Sequence, residues 1–379
     1  MKFTRIITFS IIGVLSLGTL VTVAELNEKP VNRTFKIEDM AGDRSAIGKV
    51  ELENVMKVST NKYEKVVLSE KDVRFFNTKY DVIRGVGEKV LNNKELYRNT
   101  NNAITYENKD LMMTVSFDEM FRYNGEDPKI TVAKKDKKTN KVTKNEMVPS
   151  TITHNMYVNY EYVMEIDNKL FYVITTSLMN TSEQKSTVKV FGIDKNSLKI
   201  TELMSVDASF DDKKVTDGYT DISSIVSDEN YLYAVLSNQD GKRKLLKINP
   251  TTKKISKTDL EINLGKDSYV EKLYLVGDNF YVHTSNSTLY NIDKKSMKMV
   301  FDKGSKPGFI KNYEHVSAID QVVKDGKIYV TYVAYKQGAN GENCIAVFDD
   351  KAGKILYEGK LPNMSDRGVG MDYKFVKTN

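Results

Sequence analysis

"LVGDNFYVHTSNSTLYNIDKKSMKMVFD", Leu275 to Asp302, packs four short apolar stretches between turn-forming residues. A turn of Gly, Asp and Asn comes first, and an apolar strand centred on Tyr281 follows it. After a second apolar run the chain reaches Asp293, and a lysine-containing turn leads into the last run. Asn, Asp and Gly tolerate the backbone dihedral angles of tight hairpin turns. The stretch therefore predicts a small antiparallel sheet.

The pattern of a turn followed by a tyrosine-centred strand occurs four times. The central tyrosines are Tyr172, Tyr233, Tyr281 and Tyr329, spaced 61, 48 and 48 residues apart. Four strands of about 5–6 residues, with their turns, fill about 40–50 residues, which is the length of one β-propeller blade. The spacing therefore favours an array of similar four-stranded sheets.

A second signature follows each tyrosine strand. An apolar residue is followed by Asp or Asn, and then by a turn that usually contains lysine; the polar residues are Asp194, Asn249, Asp293 and Asp349. Such side chains can accept a hydrogen bond from the backbone two residues further on and so close a turn. Two signatures in a fixed order favour a β-propeller; a β-sandwich or barrel with similar hairpins is the alternative.

Further blades are expected before residue 150. "KITVAKKD" resembles the second signature at Asp136, and Met112 or Met113 would then take the tyrosine position. With one more unit from residues 50–105, the sequence predicts an all-β propeller of six four-stranded blades, with seven possible. "GMDYKFVKTN", at the end of the sequence, is expected to pair with an N-terminal strand, because propeller rings often close with strands from both ends.

The chain opens with a long apolar segment. After Lys2 and Arg5, the residues from Ile6 to Val23 are uncharged and mainly apolar. Eighteen residues at about 1.5 Å per residue give about 27 Å of helix, close to the thickness of the hydrocarbon core. We expect a single N-terminal transmembrane helix with the rest of the chain outside the cytoplasm. Cleavage near Ala24, with secretion, is the alternative.

These features divide the chain into three parts. Residues 1–24 are expected to be a signal anchor or signal peptide, residues 25–58 a juxtamembrane stalk with the first strand, and residues 59–379 the propeller domain. The predicted location is the cell membrane, with one span and an extracytoplasmic C-terminal domain.

The composition excludes several classes of site. Cys344 is the only cysteine, so that no intrachain disulfide can form, and it lies in an apolar run that predicts a buried, inert thiol. His154, His283 and His315 are the only histidines, and their spacing gives no metal site. Lysines are scattered, which argues against nucleic-acid binding. The densest lysine run, from residue 133 to 144, predicts a solvated hairpin, with a polyanion-binding loop as the alternative.

No local catalytic motif is present. The sequence lacks a Gly-x-Ser-x-Gly elbow, a phosphate-binding Gly-Lys-Ser/Thr loop and an HExxH zinc motif. We therefore predict no catalytic, cofactor-binding or metal-binding residue. Carboxylates contributed by different blades would leave no local motif, so an enzyme is disfavoured without being excluded.

The segment "FYVHTSNSTLYNIDKKSMKMVF" resembles blades of bacterial cell-envelope propellers of the quinoprotein-like and surface-layer type. The resemblance covers about residues 160–362 and implies an architecture, with no particular activity. Because the sequence has no tryptophan, the tryptophan-docking motifs of true quinoproteins are missing, and no pyrroloquinoline quinone site is implied. "AGDRSAIGKVELENVM" is similar to the juxtamembrane segment of membrane-anchored proteins of low-GC Gram-positive bacteria.

Together these observations predict a membrane-tethered, non-catalytic binding or sensor propeller. We expect it to be accessory to an envelope or membrane complex, with a protein or an envelope polymer as its partner and without a cofactor. The alternative is a propeller hydrolase or lyase that acts on cell-wall polysaccharide. An aromatic loop face would favour binding, whereas paired acids, or a histidine with an acid, in the channel would favour an enzyme.

Overall fold

Six antiparallel sheets, each of three to five strands, account for nearly all regular structure in the computed structural model. It describes residues 36–59, 62–81, 86–98, 103–118, 127–153, 156–178, 186–208, 210, 221–238, 241–262, 268–301, 303–338, 341–362 and 373–376. The predicted ends of the membrane span, Ile6 and Val23, lie outside these residues. Within the described part of the chain, no helix is long and apolar enough to cross a membrane.

The strands are numbered in chain order, and all of them pair antiparallel. The first six are β1 (Glu38–Gly42), β2 (Leu52–Ser59), β3 (Lys62–Leu68), β4 (Val73–Thr78), β5 (Tyr80–Asp81) and β6 (Val86–Gly87). Blade 2 contains β7 (Ile104–Glu107), β8 (Leu111–Phe117), β9 (Ile130–Asp136) and β10 (Val142–Met147). Blade 3 contains β11 (Met156–Ile166), β12 (Lys169–Leu178), β13 (Ser186–Ile193) and β14 (Ile200–Asp207).

The second half of the chain continues the same pattern. Blade 4 contains β15 (Asp221–Ser227), β16 (Leu232–Ser237), β17 (Arg243–Asn249) and β18 (Lys254–Asp259). Blade 5 contains β19 (Val270–Val276), β20 (Asn279–Thr284) and β21 (Leu289–Asp293). Blade 6 contains β22 (His315–Lys324), β23 (Lys327–Tyr335), β24 (Glu342–Asp349) and β25 (Ile355–Lys360), and β26 (Lys374–Phe375) follows. The helices of the described residues are α1 (Glu88–Leu91) and two 3-10 turns, Arg44–Ile47 and Gly308–Asn312.

Strands from both ends of the described chain close the ring. β26 forms the inner edge of blade 1, which also contains β2, β3 and β4, with Phe375 opposite Leu52. This confirms the predicted pairing of the last segment with an N-terminal strand. β1 adds a fifth strand to blade 6, with Glu38 opposite Lys360. β1 and β2 therefore both take part in closing the ring.

The prediction of six blades is confirmed, and a seventh is not present in the described residues. The expectation that every blade has four strands was wrong for blade 5, which has three, and for blade 6, which has five. In blade 5 the chain that follows β21 makes only isolated bridges, Ile292 with Met299 and Leu289 with Ser305. Pro307, just beyond, has no N–H group to donate to a strand ladder, so a regular edge strand could not continue past this residue.

The apolar core lies between adjacent blades. Tyr233, Tyr281 and Tyr329, on the second strands of blades 4, 5 and 6, pack toward the next blade around the ring. Tyr172 is placed differently, because Phe171 occupies the equivalent register position and packs toward blade 4. Successive side chains on a strand alternate between faces, so Tyr172 packs back against blade 2.

The polar residues of the second signature close the turn between the third strand and the chain that follows. Each accepts backbone N–H hydrogen bonds through Oδ1: Asp194 from Asn196 (2.9 Å) and Ser197 (2.7 Å), Asn249 from Thr251 (3.0 Å) and Thr252 (2.8 Å), Asp293 from Ser296 (2.7 Å), and Asp349 from Lys351 (3.0 Å) and Ala352 (2.7 Å). Asp136 does the same in blade 2. These residues shape hairpins.

Candidate binding site at the channel mouth

The innermost strands of the six blades surround a common axis. They are β26, β7, β11, β15, β19 and β22, each at one edge of its sheet. The five that begin a blade all follow a connection from the previous blade, so they start at the same end of the ring. We call this end the mouth. The opposite end, which carries the turns at Asp194, Asn249, Asp293 and Asp349, is called the turn face.

Exposed tyrosines are concentrated at the mouth. Tyr157 and Tyr160 lie on β11, Tyr269 directly precedes β19, and Tyr335 ends β23. Between 43% and 51% of the surface of each is exposed. Among the described residues, the only other large aromatic side chain with comparable exposure is Phe76, on the outer strand of blade 1. Tyr combines an apolar ring with a polar hydroxyl, which suits a surface that binds a partner.

β-bulges interrupt four of the innermost strands. The register shifts at Asn159 in β11, Ser224 in β15, Glu271 in β19 and Ile319 in β22. A bulge inserts one unpaired residue and changes the direction of a nearby side chain, and bulges are common beside functional sites. In blade 5 the inserted residue is a carboxylate, Glu271.

Glu271, His315, Ser317 and Tyr335 form one connected group, which we call the mouth cluster. The hydroxyl Oγ of Ser317 donates to Oε1 of Glu271 (3.3 Å) and lies 2.8 Å from Nε2 of His315. The His315 ring stacks on Tyr335, with 6.2 Å between centroids. Burial raises the pKa of Glu271 above its ordinary value, although His315, Ser317 and the Ala318 backbone N–H partly oppose this.

The mouth cluster is not a serine-nucleophile triad. In such a triad the acid orients the histidine, and the histidine in turn contacts the serine. Here the carboxylate of Glu271 contacts Ser317 directly, so Ser317 lies between the two groups that could exchange a proton, Glu271 and His315. Chemically, the arrangement can accept and donate hydrogen bonds to a ligand, and its acid can supply a proton.

A buried polar pair lies behind the mouth, between blades 5 and 6. His283 is fully buried, and its Nε2 lies 2.5 Å from Oε1 of Gln321. Burial lowers the pKa of His283 to about 4, so the ring is neutral at physiological pH. Within the described chain, neither Nδ1 of His283 nor Nε2 of Gln321 has a hydrogen-bond partner. The pair fixes the blade interface and does not reach the mouth surface.

The residues that the sequence singled out are not the residues that line the mouth. The signature residues lie in the blade interfaces or on the turn face. His154 lies outside the described residues. Cys344 is buried, as the sequence predicted, and burial raises the pKa of its thiol to about 12, which disfavours the reactive thiolate. The described residues contain no group of three or more His, Cys, Asp or Glu side chains suited to a metal ion. Sequence analysis did not identify Glu271 as a site residue. The only indication in the sequence was a charged residue within the apolar strand "VEKLYLV".

Comparisons with known proteins show a likeness in fold alone. No family model and no curated protein matches the chain. A mutant of Synechocystis apocarotenoid oxygenase is 6% identical with a TM-score of 0.50, covering 92% of this chain and 97% of its own. TolB from Acinetobacter baumannii is 9% identical with a TM-score of 0.40, covering 87% of this chain and 67% of its own. By its fold, the chain is a six-bladed β-propeller.

Proposed function

We propose that this protein is a membrane-tethered, extracytoplasmic propeller that binds a protein or an envelope polymer at its mouth without covalent chemistry. It would serve as an accessory or sensor subunit beside an envelope or membrane complex. The tether rests on the apolar segment from Ile6 to Val23, and the resemblance to cell-envelope blades agrees with this location. Nucleic acid is not expected as a partner, since the lysines are scattered along the sequence.

The four exposed tyrosines at the mouth are the observation that carries the proposal. In a ring of six blades, blade 3 lies opposite blade 6, so Tyr157 and Tyr160 lie across the axis from Tyr335. A partner that spans the mouth can contact both sides. Asn159, Ser317 and His315 add hydrogen-bonding groups between the rings. A peptide segment or a chain of sugars has the alternation of apolar faces and polar groups that such a surface fits.

The test measures retention of the full chain, in neutral detergent micelles, on insoluble bacterial cell wall and on immobilised detergent-solubilised envelope proteins. The double variant Tyr157→Ala/Tyr335→Ala should bind roughly tenfold more weakly or worse, as expected for the loss of two aromatic anchors. Phe76→Ala is the matched control, since Phe76 is an equally exposed aromatic residue on the outermost strand of blade 1, away from the central axis. Equal retention of all three proteins would refute binding at the mouth.

The second candidate function is a hydrolase or lyase acting on wall polysaccharide. One observation favours it, since Glu271 is a half-buried acid with a raised pKa beside His315. Reducing-end release from purified cell-wall polysaccharide distinguishes the two functions. Turnover by the unmodified protein that is abolished in both Glu271→Gln and His315→Gln would establish the enzyme. Wall binding without turnover would support the binding protein.

A further inference from the structure

The first described strand, β1, enters the propeller at the mouth. It pairs antiparallel with β25, with Glu38 opposite Lys360. β25 follows the turn at Asp349 on the turn face and runs to Lys360 at the mouth. β1 therefore starts at the mouth, and Lys36, the first residue that the structure describes, lies at this end beside the outer edge of blade 6.

The length of chain ahead of Lys36 limits where a membrane anchor can lie. Twelve residues, 24–35, separate Lys36 from Val23, the predicted end of the membrane span. A flexible chain of twelve residues has an average end-to-end distance of about 17–21 Å, and a fully extended one spans at most about 40–43 Å. A span that ends at Val23 therefore holds the mouth end of blade 6 close to the bilayer.

The opposite orientation, with the turn face toward the bilayer, would require the same twelve residues to cross the height of the propeller. β24 (Glu342–Asp349) runs from the mouth to the turn face, and its eight residues cover about 26 Å at about 3.3 Å per residue. That height exceeds the average reach of a twelve-residue chain, so the chain would have to be stretched along the outer edge of blade 6. Stretching costs conformational entropy, and the orientation with the mouth toward the bilayer avoids this cost.

The side chains at the mouth suit the surface of a bilayer. The four exposed tyrosines of the described residues, Tyr157, Tyr160, Tyr269 and Tyr335, all lie at this end. Tyrosine is enriched where membrane proteins meet the lipid headgroups, because its ring is apolar and its hydroxyl is polar. The position of these side chains and the entry point of β1 therefore agree on one orientation.

We infer that the mouth faces the membrane and that its partner is the extracytoplasmic part of a protein embedded in the same membrane. This inference rests on the proposed membrane tether, and it narrows the partner from a protein or an envelope polymer to a membrane protein. A partner held in the same bilayer meets the mouth at a high effective concentration, so a small aromatic surface suffices for binding. A wall polymer would instead approach the domain from the side of the turn face. The binding involves no covalent step.

Tryptophan reporters test the orientation, because the sequence contains no tryptophan. Tyr269→Trp places a reporter directly before β19, at the mouth, and Val276→Trp places one at the end of the same strand, on the turn face; the two positions are 51% and 39% exposed. Each full-length variant is incorporated into phosphatidylcholine nanodiscs that contain a lipid with a nitroxide on its headgroup. Nitroxide quenching falls steeply with distance. Tyr269→Trp should therefore be quenched at least about twofold more strongly than Val276→Trp, because about 20 Å separates the two ends of the strand.

A second pair of reporters repeats the comparison on other blades. Tyr335→Trp lies at the mouth in blade 6 and Ile255→Trp near the turn face in blade 4, at positions that are 44% and 46% exposed. Equal quenching of the two reporters in either pair, or stronger quenching on the turn face, would overturn the orientation. Failure of the unmodified protein to enter the nanodiscs would instead refute the membrane tether itself.

Retention on immobilised material tests the class of partner. Combined with the reporter result, Tyr157→Ala/Tyr335→Ala should weaken retention on detergent-solubilised envelope proteins about tenfold and leave any retention on insoluble cell wall unchanged. Phe76→Ala again serves as the control. Any loss of wall retention in the double variant would overturn the membrane-protein partner while leaving binding at the mouth intact.

Discussion

Ser317 of blade 6 donates its hydroxyl hydrogen bond to Glu271 of blade 5, with 3.3 Å between Oγ and Oε1. The two residues are 46 positions apart in the sequence and meet because β19 and β22 are the innermost strands of neighbouring blades. The contact brings an acid to the mouth at a position where burial disfavours its charge.

The substitution Glu271→Gln should stabilise the protein at neutral pH and have little effect in acid. The raised pKa means that the folded protein holds the proton more tightly than the unfolded chain does. The folded state is therefore favoured below the ordinary glutamate pKa of about 4.5, and this contribution is lost as pH rises through the folded-state value. Thermal unfolding followed by circular dichroism at about pH 4 and pH 7 checks this. Exposed Glu146→Gln is the control, and an equal shift at both pH values would contradict the prediction.

His283 should make the protein less stable in mild acid. Burial holds its pKa at about 4 in the folded state, whereas the unfolded chain takes up a proton near pH 6.5. The contribution of neutral His283 to the free energy of unfolding is therefore fully present above about pH 6.5 and is lost as pH decreases toward about 4. Urea unfolding across this range should show a smaller slope against pH in His283→Gln than in the unmodified protein. Identical slopes for the unmodified protein and His283→Gln would contradict this prediction.

Closure of the ring by β26 should contribute measurably to stability. Phe375 is 4% exposed and packs against the core between blades 6 and 1. Phe375→Ala should lower the free energy of unfolding by about 3–5 kcal/mol, the usual cost of truncating a buried aromatic residue. The neighbouring Lys374 is exposed, so Lys374→Ala should change the free energy of unfolding by less than about 0.5 kcal/mol. Urea denaturation measures both, and similar values would argue against a role for the C-terminal strand.

Alanine substitutions at two glycines with positive φ distinguish the cost of backbone strain from the cost of a steric clash. Gly42 (φ 79°) lies against blade 6, where an added Cβ would be 2.1 Å from the carbonyl oxygen of Leu356. At Gly326 (φ 71°), no atom lies within 4 Å of the position that an added Cβ would occupy. Gly326→Ala should therefore cost only about 1 kcal/mol, from the left-handed conformation. Gly42→Ala should cost more and detach β1. Hydrogen exchange of the β1 amides is the direct measurement, and unchanged protection in Gly42→Ala would disprove it.

Local contacts explain which parts of the fold could be predicted. The turn at Asp194 depends on hydrogen bonds that span three residues, so its pattern is visible in the sequence. The β1 strand has the sequence EDMAG and is exposed throughout, so it lacks the apolar alternation that marks a strand. Glu271 and Ser317 become neighbours only through the arrangement of the blades, and no local motif could have shown this. Tyr172 belongs to a recognisable repeat, but a one-residue shift in register places it on the opposite face.

The pairing of Leu52 with Phe375 also affects how the protein is made. During synthesis the first blade lacks its inner edge until β26 has emerged, so its strand edge stays open while the other five blades form. Sheets that depend on such distant partners fold slowly, and open edges invite aggregation. Chaperone dependence should therefore be greatest late in translation, and nascent chains that stop short of the last strand should be the species most readily degraded.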